Sequence, residues 1–277
     1  MENFHKSPNL YIGEVAIQVT DLDRSLLFYQ NIIGLKILKR SDQSAQLTTD
    51  GKTPLLTLFR PENALPRRRM TTGLYHFALL VPSRSDLGSF LRHLLESGYP
   101  LLGASDHLVS EAIYLNDPDG NGIEVYRDRP SREWSWKENL VEMATLELDA
   151  QGVLSAAKNP WMGMPDGTIM GHIHLHVANL KEAEIFYTNG LGFEIVSYYP
   201  QAVFLSTGKY HHHLAINTWA GKGAPHPKEN EAGLKWFTIH YPDEESREKA
   251  KVRLARMGAP VTGDETVDPS GNIIHLA

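Results

Sequence analysis

The chain has 277 residues, 42% hydrophobic and 22% charged, with a formal net charge of −6 and no cysteine. That length and balance suit a globular protein of two domains. The composition excludes disulfides, thiolate metal sites and cysteine nucleophiles, the acidic balance argues against nucleic acid, and no run of 18 apolar residues is present to span a membrane.

The opening "MENFHKSPNL" lacks the basic-then-apolar pattern of a secretory signal, so a cytoplasmic protein is expected. From Tyr11 the alternation Val15/Ile17/Val19 predicts a half-buried strand. Asp21 suits a helix N-cap, Leu22, Leu26 and Phe28 mark the helix, and Gly34 closes it in a conformation open to glycine. The cluster "PRRRM" (Pro66–Met70) reads as a solvated loop. "GLYHFALLVPSRSDLGSFLRHLLESGYPL" (Gly73–Leu101) repeats the strand–helix plan and leads to the turn "DPDGN" (Asp117–Asn121).

Residues 131–168 fit no repeat and read as a connector, with Trp134, Trp136 and Trp161 as packing groups. "MGHIHLHVANLKEAEIFYTNGLGFEIV" (Met170–Val196) then parallels "IGEVAIQVTDLDRSLLFYQNIIGLKIL" (Ile12–Leu38), with Asn179 for Asp21 and Gly192 for Gly34. A fourth segment from Gly233 ends in "DPSGNIIHLA", where His275 stands in the place of Glu124 of "DPDGNGIEVY". The fold expected is α+β: four tandem βαβββ modules forming two cup-shaped barrels, divided as residues 8–130, the connector 131–168, and residues 169–277.

Four such modules with D-P-x-G-N turns resemble the vicinal oxygen chelate superfamily, which includes glyoxalase I and the extradiol dioxygenases, and most closely the catechol 2,3-dioxygenase-like proteins of Gram-positive bacteria. The resemblance implies that modules pair edge to edge around a divalent metal. It places ligand positions at Glu14, His76, His172 and Trp236 on the first strands, and at Glu124 and His275 on the last strands. Consecutive pairing would yield no expected ligand set, and an indole cannot ligate a cation. Pairing module two with three gathers His76, His172 and Glu124, the two-His–one-carboxylate triad of non-haem Fe(II) oxygenases; Mn(II) is the alternative metal. The other cup would hold Glu14, Trp236 and His275, a set with no good metal chemistry.

The same resemblance implies an acid–base role for His212 in "GKYHHHLAIN" (Gly208–Asn217), read as the end of a strand with His211 and His213 on its other face. It implies that Tyr114, ten residues before Glu124, hydrogen-bonds the substrate oxygen, and that His107 is a further pocket residue; His174 is a candidate for the pocket wall. The implied reaction is extradiol cleavage of a small aromatic diol by O2. Two other readings of the scaffold are a glyoxalase I-like lyase or isomerase, whose sites usually recruit a fourth, carboxylate ligand, and a metal-free antibiotic-binding protein. A homo-oligomer is compatible with the sequence.

Overall fold

The computed structural model describes residues 4–277. Module one comprises β1 (Tyr11–Gln18), α1 (Leu22–Phe28), β2 (Lys36–Arg40), β3 (Ser44–Thr48) and β4 (Leu56–Phe59). Module two has β5 (Gly73–Leu80), α2 (Arg84–Ser97), β6 (Gly103–Asp106), β7 (Ser110–Asn116) and β8 (Gly122–Asp128). Three two-residue strands, β9 (Trp136–Lys137), β10 (Leu140–Val141) and β11 (Leu146–Glu147), and α3 (Ala150–Ala156) follow. Module three holds β12 (Ile169–His176), α4 (Leu180–Ile185), β13 (Glu194–Tyr199), β14 (Ala202–Ser206) and β15 (Leu214–Asn217). Module four holds β16 (Gly233–His240), α5 (Glu244–Arg256), β17 (Val261–Thr262), β18 (Glu265–Val267) and β19 (Ile273–Leu276).

Each sheet takes one module from either side of the connector. A nine-stranded sheet runs β11-β6-β7-β8-β5-β12-β15-β14-β13, and an eight-stranded sheet runs β17-β18-β19-β16-β1-β4-β3-β2. The first is joined by antiparallel β5–β12 pairing, which sets His76 opposite His174. The second is joined by β1–β16. The two sheets pack through β1 and β12, and one apolar cluster spans both sheets and α1, α2 and α5. For that reason β1 is not half-buried as its alternation suggests: Val15, Ala16 and Ile17 are all inaccessible, because both faces of the strand are covered there.

Local signals explain the helix boundaries. The side chains of Asp21 and Asn179 accept backbone N–H bonds at the starts of α1 and α4, and Gly34 and Gly192 close the helical segments at φ 83° and 99°. The D-P-x-G-N turns have a second use. Asp117 accepts backbone bonds from Asp119 and Asn121, a side-chain bond from Asn121, and the hydroxyl proton of Tyr29 at 3.0 Å. Asp268 repeats this with Ser270, Asn272 and Tyr187, the last at 2.9 Å. Each turn is thereby fastened to the helical segment of the preceding module, across the two sheets.

The basic cluster differs from expectation. Arg67 turns inward and donates to the carbonyls of Gly120 and Leu74, and Arg68 lies 3.5 Å from Glu231. A guanidinium satisfies several backbone carbonyls at once, so this loop is fixed rather than simply solvated.

Candidate functional site

Period-two alternation builds the site. On β8 the residues Glu124, Tyr126 and Asp128 share the concave face, while Ile123 and Val125 enter the apolar core. On β5, His76 and Ala78 face the cup and Phe77 and Leu79 the core. On β12, His172 sits beside a bulge at Gly171, where the ladder skips a residue. A side chain at 171 would collide with the Tyr126 hydroxyl, so only glycine permits this approach.

Those three strands bring His76, Glu124 and His172 together. Their ligand atoms all lie within 4.8 Å of one another, and all three residues are buried. Glu124 Oε2 lies 3.1 Å from His76 Nε2 and 3.2 Å from His172 Nε2. His76 Nε2 nevertheless makes no hydrogen bond of acceptable direction, although it is buried. Burial would raise the Glu124 carboxyl, but His172, hydrogen-bonded to it, and the adjacent His76 draw it well below the usual carboxylate range. Burial lowers His172 to about 4, against the pull of Glu124. An ionised carboxylate beside a neutral His172 ring is the protonation state that metal ligands require. An orphaned buried imidazole nitrogen aimed at a carboxylate fits a shared cation better than it fits the bare cluster.

A cavity of about 400 Å3 opens above the cluster. Its walls include His174, Tyr114, His107 and His212, together with Tyr75, Phe204 and Trp219. Tyr114 is the ladder partner of Glu124 on β7. Its hydroxyl lies 2.6 Å from His107 Nε2, and His107 Nδ1 lies 2.7 Å from the Ala144 carbonyl. A carbonyl only accepts, so Nδ1 carries the proton and Nε2 accepts from Tyr114. Burial, and then the Glu124 charge, hold the Tyr114 hydroxyl well above its usual range, keeping it a donor. His174 accepts at Nε2 from the Asn217 amide at 2.8 Å, which orients its ring against Tyr75.

Two readings of the sequence are corrected here. Tyr210–His213 is not strand; β15 begins only at Leu214. The three histidines therefore do not alternate across a sheet: His212 faces the cavity, while His211 bonds Asp128 and His213 bonds Ser206 and the Phe4 carbonyl. The connector is also more than packing, since Met143, Ala144 and Thr145 line the cavity. Tyr75 and Trp219 also line the cavity, and neither carries a spacing signal of its own in the sequence.

In the other sheet, Glu14 bonds Thr57, Trp236 stacks on His275 with ring centroids 4.5 Å apart, and His275 lies 3.3 Å from Glu265.

Paired modules around a buried His–Glu–His cluster define a class, and comparison by sequence agrees: residues 11–125 and 169–276 match the model of the Glyoxalase/Bleomycin resistance protein/Dioxygenase superfamily, to which this chain belongs. Within it the chain is 44% identical to the catechol-2,3-dioxygenase of Bacillus subtilis (strain 168) over 271 residues, 96% of this chain and 94% of that protein. It is 29% identical over 119 residues to biphenyl-2,3-diol 1,2-dioxygenase 3 of Rhodococcus globerulus, covering 42% of this chain and 63% of that one. A crystal structure from Bacillus subtilis superposes on the whole chain and 86% of its own length, with a TM-score of 0.67 at 14% identity, which speaks to the fold alone.

Proposed function

We propose that this protein is a metal-dependent extradiol dioxygenase acting on a catechol-type diol with O2. The observation that carries the reading is the convergence of His76, His172 and Glu124 beside a cavity walled in part by aromatic rings, in a chain 44% identical over nearly its whole length to a catechol-2,3-dioxygenase. These three residues would hold the metal, iron(II) with manganese(II) as the alternative; bound there, it would supply the Lewis acidity that makes a chelated diol acidic and the redox coupling between diol and O2.

The remaining steps belong to the chain. His212 Nδ1 is taken by His211 at 2.8 Å, which leaves Nε2 for the cavity. That nitrogen accepts a diol proton and later returns it, acid–base work suited to an imidazole. Burial holds the His212 ring well below its usual range, so it waits as the neutral base. Tyr114, whose own proton goes to His107, offers its oxygen as the acceptor for a substrate hydroxyl and so orients it. Tyr75, Phe204 and Trp219 flank the ring and exclude water. The net change breaks the ring C–C bond beside the diol and places both atoms of O2 in the product.

A glyoxalase-like isomerisation would usually recruit a fourth, carboxylate ligand. Among the described residues the cluster ends at two histidines and one carboxylate, and the nearby ring is His212. Anaerobic reconstitution with Fe(II), followed by catechol and air, tests the reading. The expected result is a ring-opened chromophore with one O2 consumed per diol. Metal binding without O2 uptake on any simple or alkyl-substituted catechol overturns it.

A further inference from the structure

The face of β8 that supplies Glu124 continues two residues at a time to Tyr126 and Asp128. Asp128 Oδ1 lies 2.8 Å from His211 Nε2, and His211 Nδ1 lies 2.8 Å from His212 Nδ1. His211 is wholly buried, with Trp134 of the connector edge-on at 5.1 Å and Tyr210 against its ring at 4.1 Å. The result is a single file, Asp128–His211–His212, ending at the cavity.

We propose that Asp128 and His211 are positioning residues that fix which nitrogen of His212 is free. The inference rests on the reading of His212 as the acid–base group. An ionised carboxylate can only accept, so the proton shared with Asp128 belongs to His211 Nε2. With its one proton directed to Asp128, His211 offers Nδ1 as an acceptor, and a proton on His212 Nδ1 fills the 2.8 Å contact. His212 is thereby held as the Nδ1–H tautomer with its Nε2 lone pair facing the cavity. When Nε2 takes a proton, the Nδ1–H bond is kept, and the Asp128 charge stands one ring behind the imidazolium. The orientation is fixed as well, because the ring is held at both Nδ1 and its face, 4.1 Å from His172. Tyr210 and Tyr126 hold the far end: Tyr210 OH lies 3.2 Å from Asp128 Oδ1 and 2.8 Å from the Tyr126 hydroxyl.

Asp128→Asn is the incisive change, because an amide can donate to His211 Nε2 and reverse every bond of the file. His211 would then donate from Nδ1, and His212 would carry its proton on Nε2. In protein labelled with 15N-histidine and loaded with diamagnetic Zn(II), His212 is expected as the Nδ1–H tautomer in the wild type and as the Nε2–H tautomer in Asp128→Asn. In the Fe(II) enzyme the same variant is expected to lose on the order of 100-fold in kcat, with KM, metal content and Tm nearly unchanged. His211→Gln can still accept from His212 and donate to Asp128, so it should recover at least tenfold of the kcat lost in His211→Leu. An unchanged His212 tautomer in Asp128→Asn, or equal loss in the two His211 variants, overturns the proposal. A reversed tautomer with normal kcat leaves the relay standing and refutes instead the acid–base reading of His212.

Discussion

The two D-P-x-G-N turns make an internal control, because the fold repeats the same device at a proposed metal cup and at a second cup. Replace Tyr29 by Phe and, separately, Tyr187 by Phe. Both hydroxyls are inaccessible and each donates to the turn aspartate, at 3.0 Å and 2.9 Å. Each aspartate keeps three other donors. The loss is therefore one hydrogen bond rather than an unsatisfied carboxyl, about 2 kcal/mol for a carboxylate acceptor. The two bonds share no partner, so the double variant should lose about 4 kcal/mol, additive within about 0.5 kcal/mol.

The consequences for the site should be unequal. The Asp117 turn runs directly into β8, whose third residue is Glu124; the Asp268 turn runs into β19 and His275. Loosening the first turn misplaces a proposed metal ligand, and loosening the second does not. Tyr29→Phe should weaken metal binding by about tenfold, the scale on which residues supporting a ligand act, while Tyr187→Phe leaves it within twofold. Urea unfolding of the metal-free variants gives the first comparison, and competition with a calibrated chelator gives the second. Equal stability losses with equal metal affinities would refute the coupling of turn to ligand; losses below about 0.5 kcal/mol would refute the hydrogen-bond assignment itself.

Metal analysis should find one equivalent per chain, abolished by His76→Ala, His172→Ala or Glu124→Ala and retained in Glu14→Ala and His275→Ala; a second equivalent lost with His275→Ala would refute the reading of the other cup as metal-free. His212→Ala should keep its metal and lose on the order of 100-fold in ring cleavage, and loss of iron in that variant would make His212 a ligand instead. Burial lowers His172 to about 4 from 6.5 and pulls His174, His212 and His213 well below their usual range. The folded chain thus binds fewer protons than the unfolded one below pH 6.5. Metal-free protein should lose stability as pH falls from about 6.5 towards 4, by more than about 1.4 kcal/mol per pH unit, and a flat urea-midpoint profile over that range would contradict the burial of these rings.

The parts of the fold legible in the sequence were those written in short-range patterns. Asp21 and Asn179 announced helix starts, Gly34 and Gly192 announced helix ends, and the repeated turns gave the modules. Burial on both faces of β1 was hidden, because alternation reports one sheet face and not the layer packed behind it. The fate of His211 was hidden for a related reason. Three consecutive histidines before "LAIN" read as strand, yet the backbone there bends to send His211 toward Asp128, 83 residues earlier. Tyr75 and Trp219 were invisible too, since a single aromatic, inside β5 or just past β15, carries no spacing signal of its own.

The contrast between the two cups lies in how polar atoms are satisfied. In one, His76 Nε2 is buried without a directed partner, 3.1 Å from a carboxylate that two imidazoles share. In the other, the equivalent positions are occupied by groups that satisfy one another: Glu14 takes the Thr57 hydroxyl, and Trp236 covers His275, which turns to Glu265. A buried polar atom without a partner costs about 1–3 kcal/mol, a cost that a cation shared with Glu124 would offset at His76 Nε2. The replacement of Glu124 by His275 in the repeat is therefore not an isolated change of ligand. It belongs with Trp236 to a set closed by stacking and an ion contact with Glu265, whereas His76 Nε2 is left without a hydrogen bond beside the bonded His172–Glu124 pair.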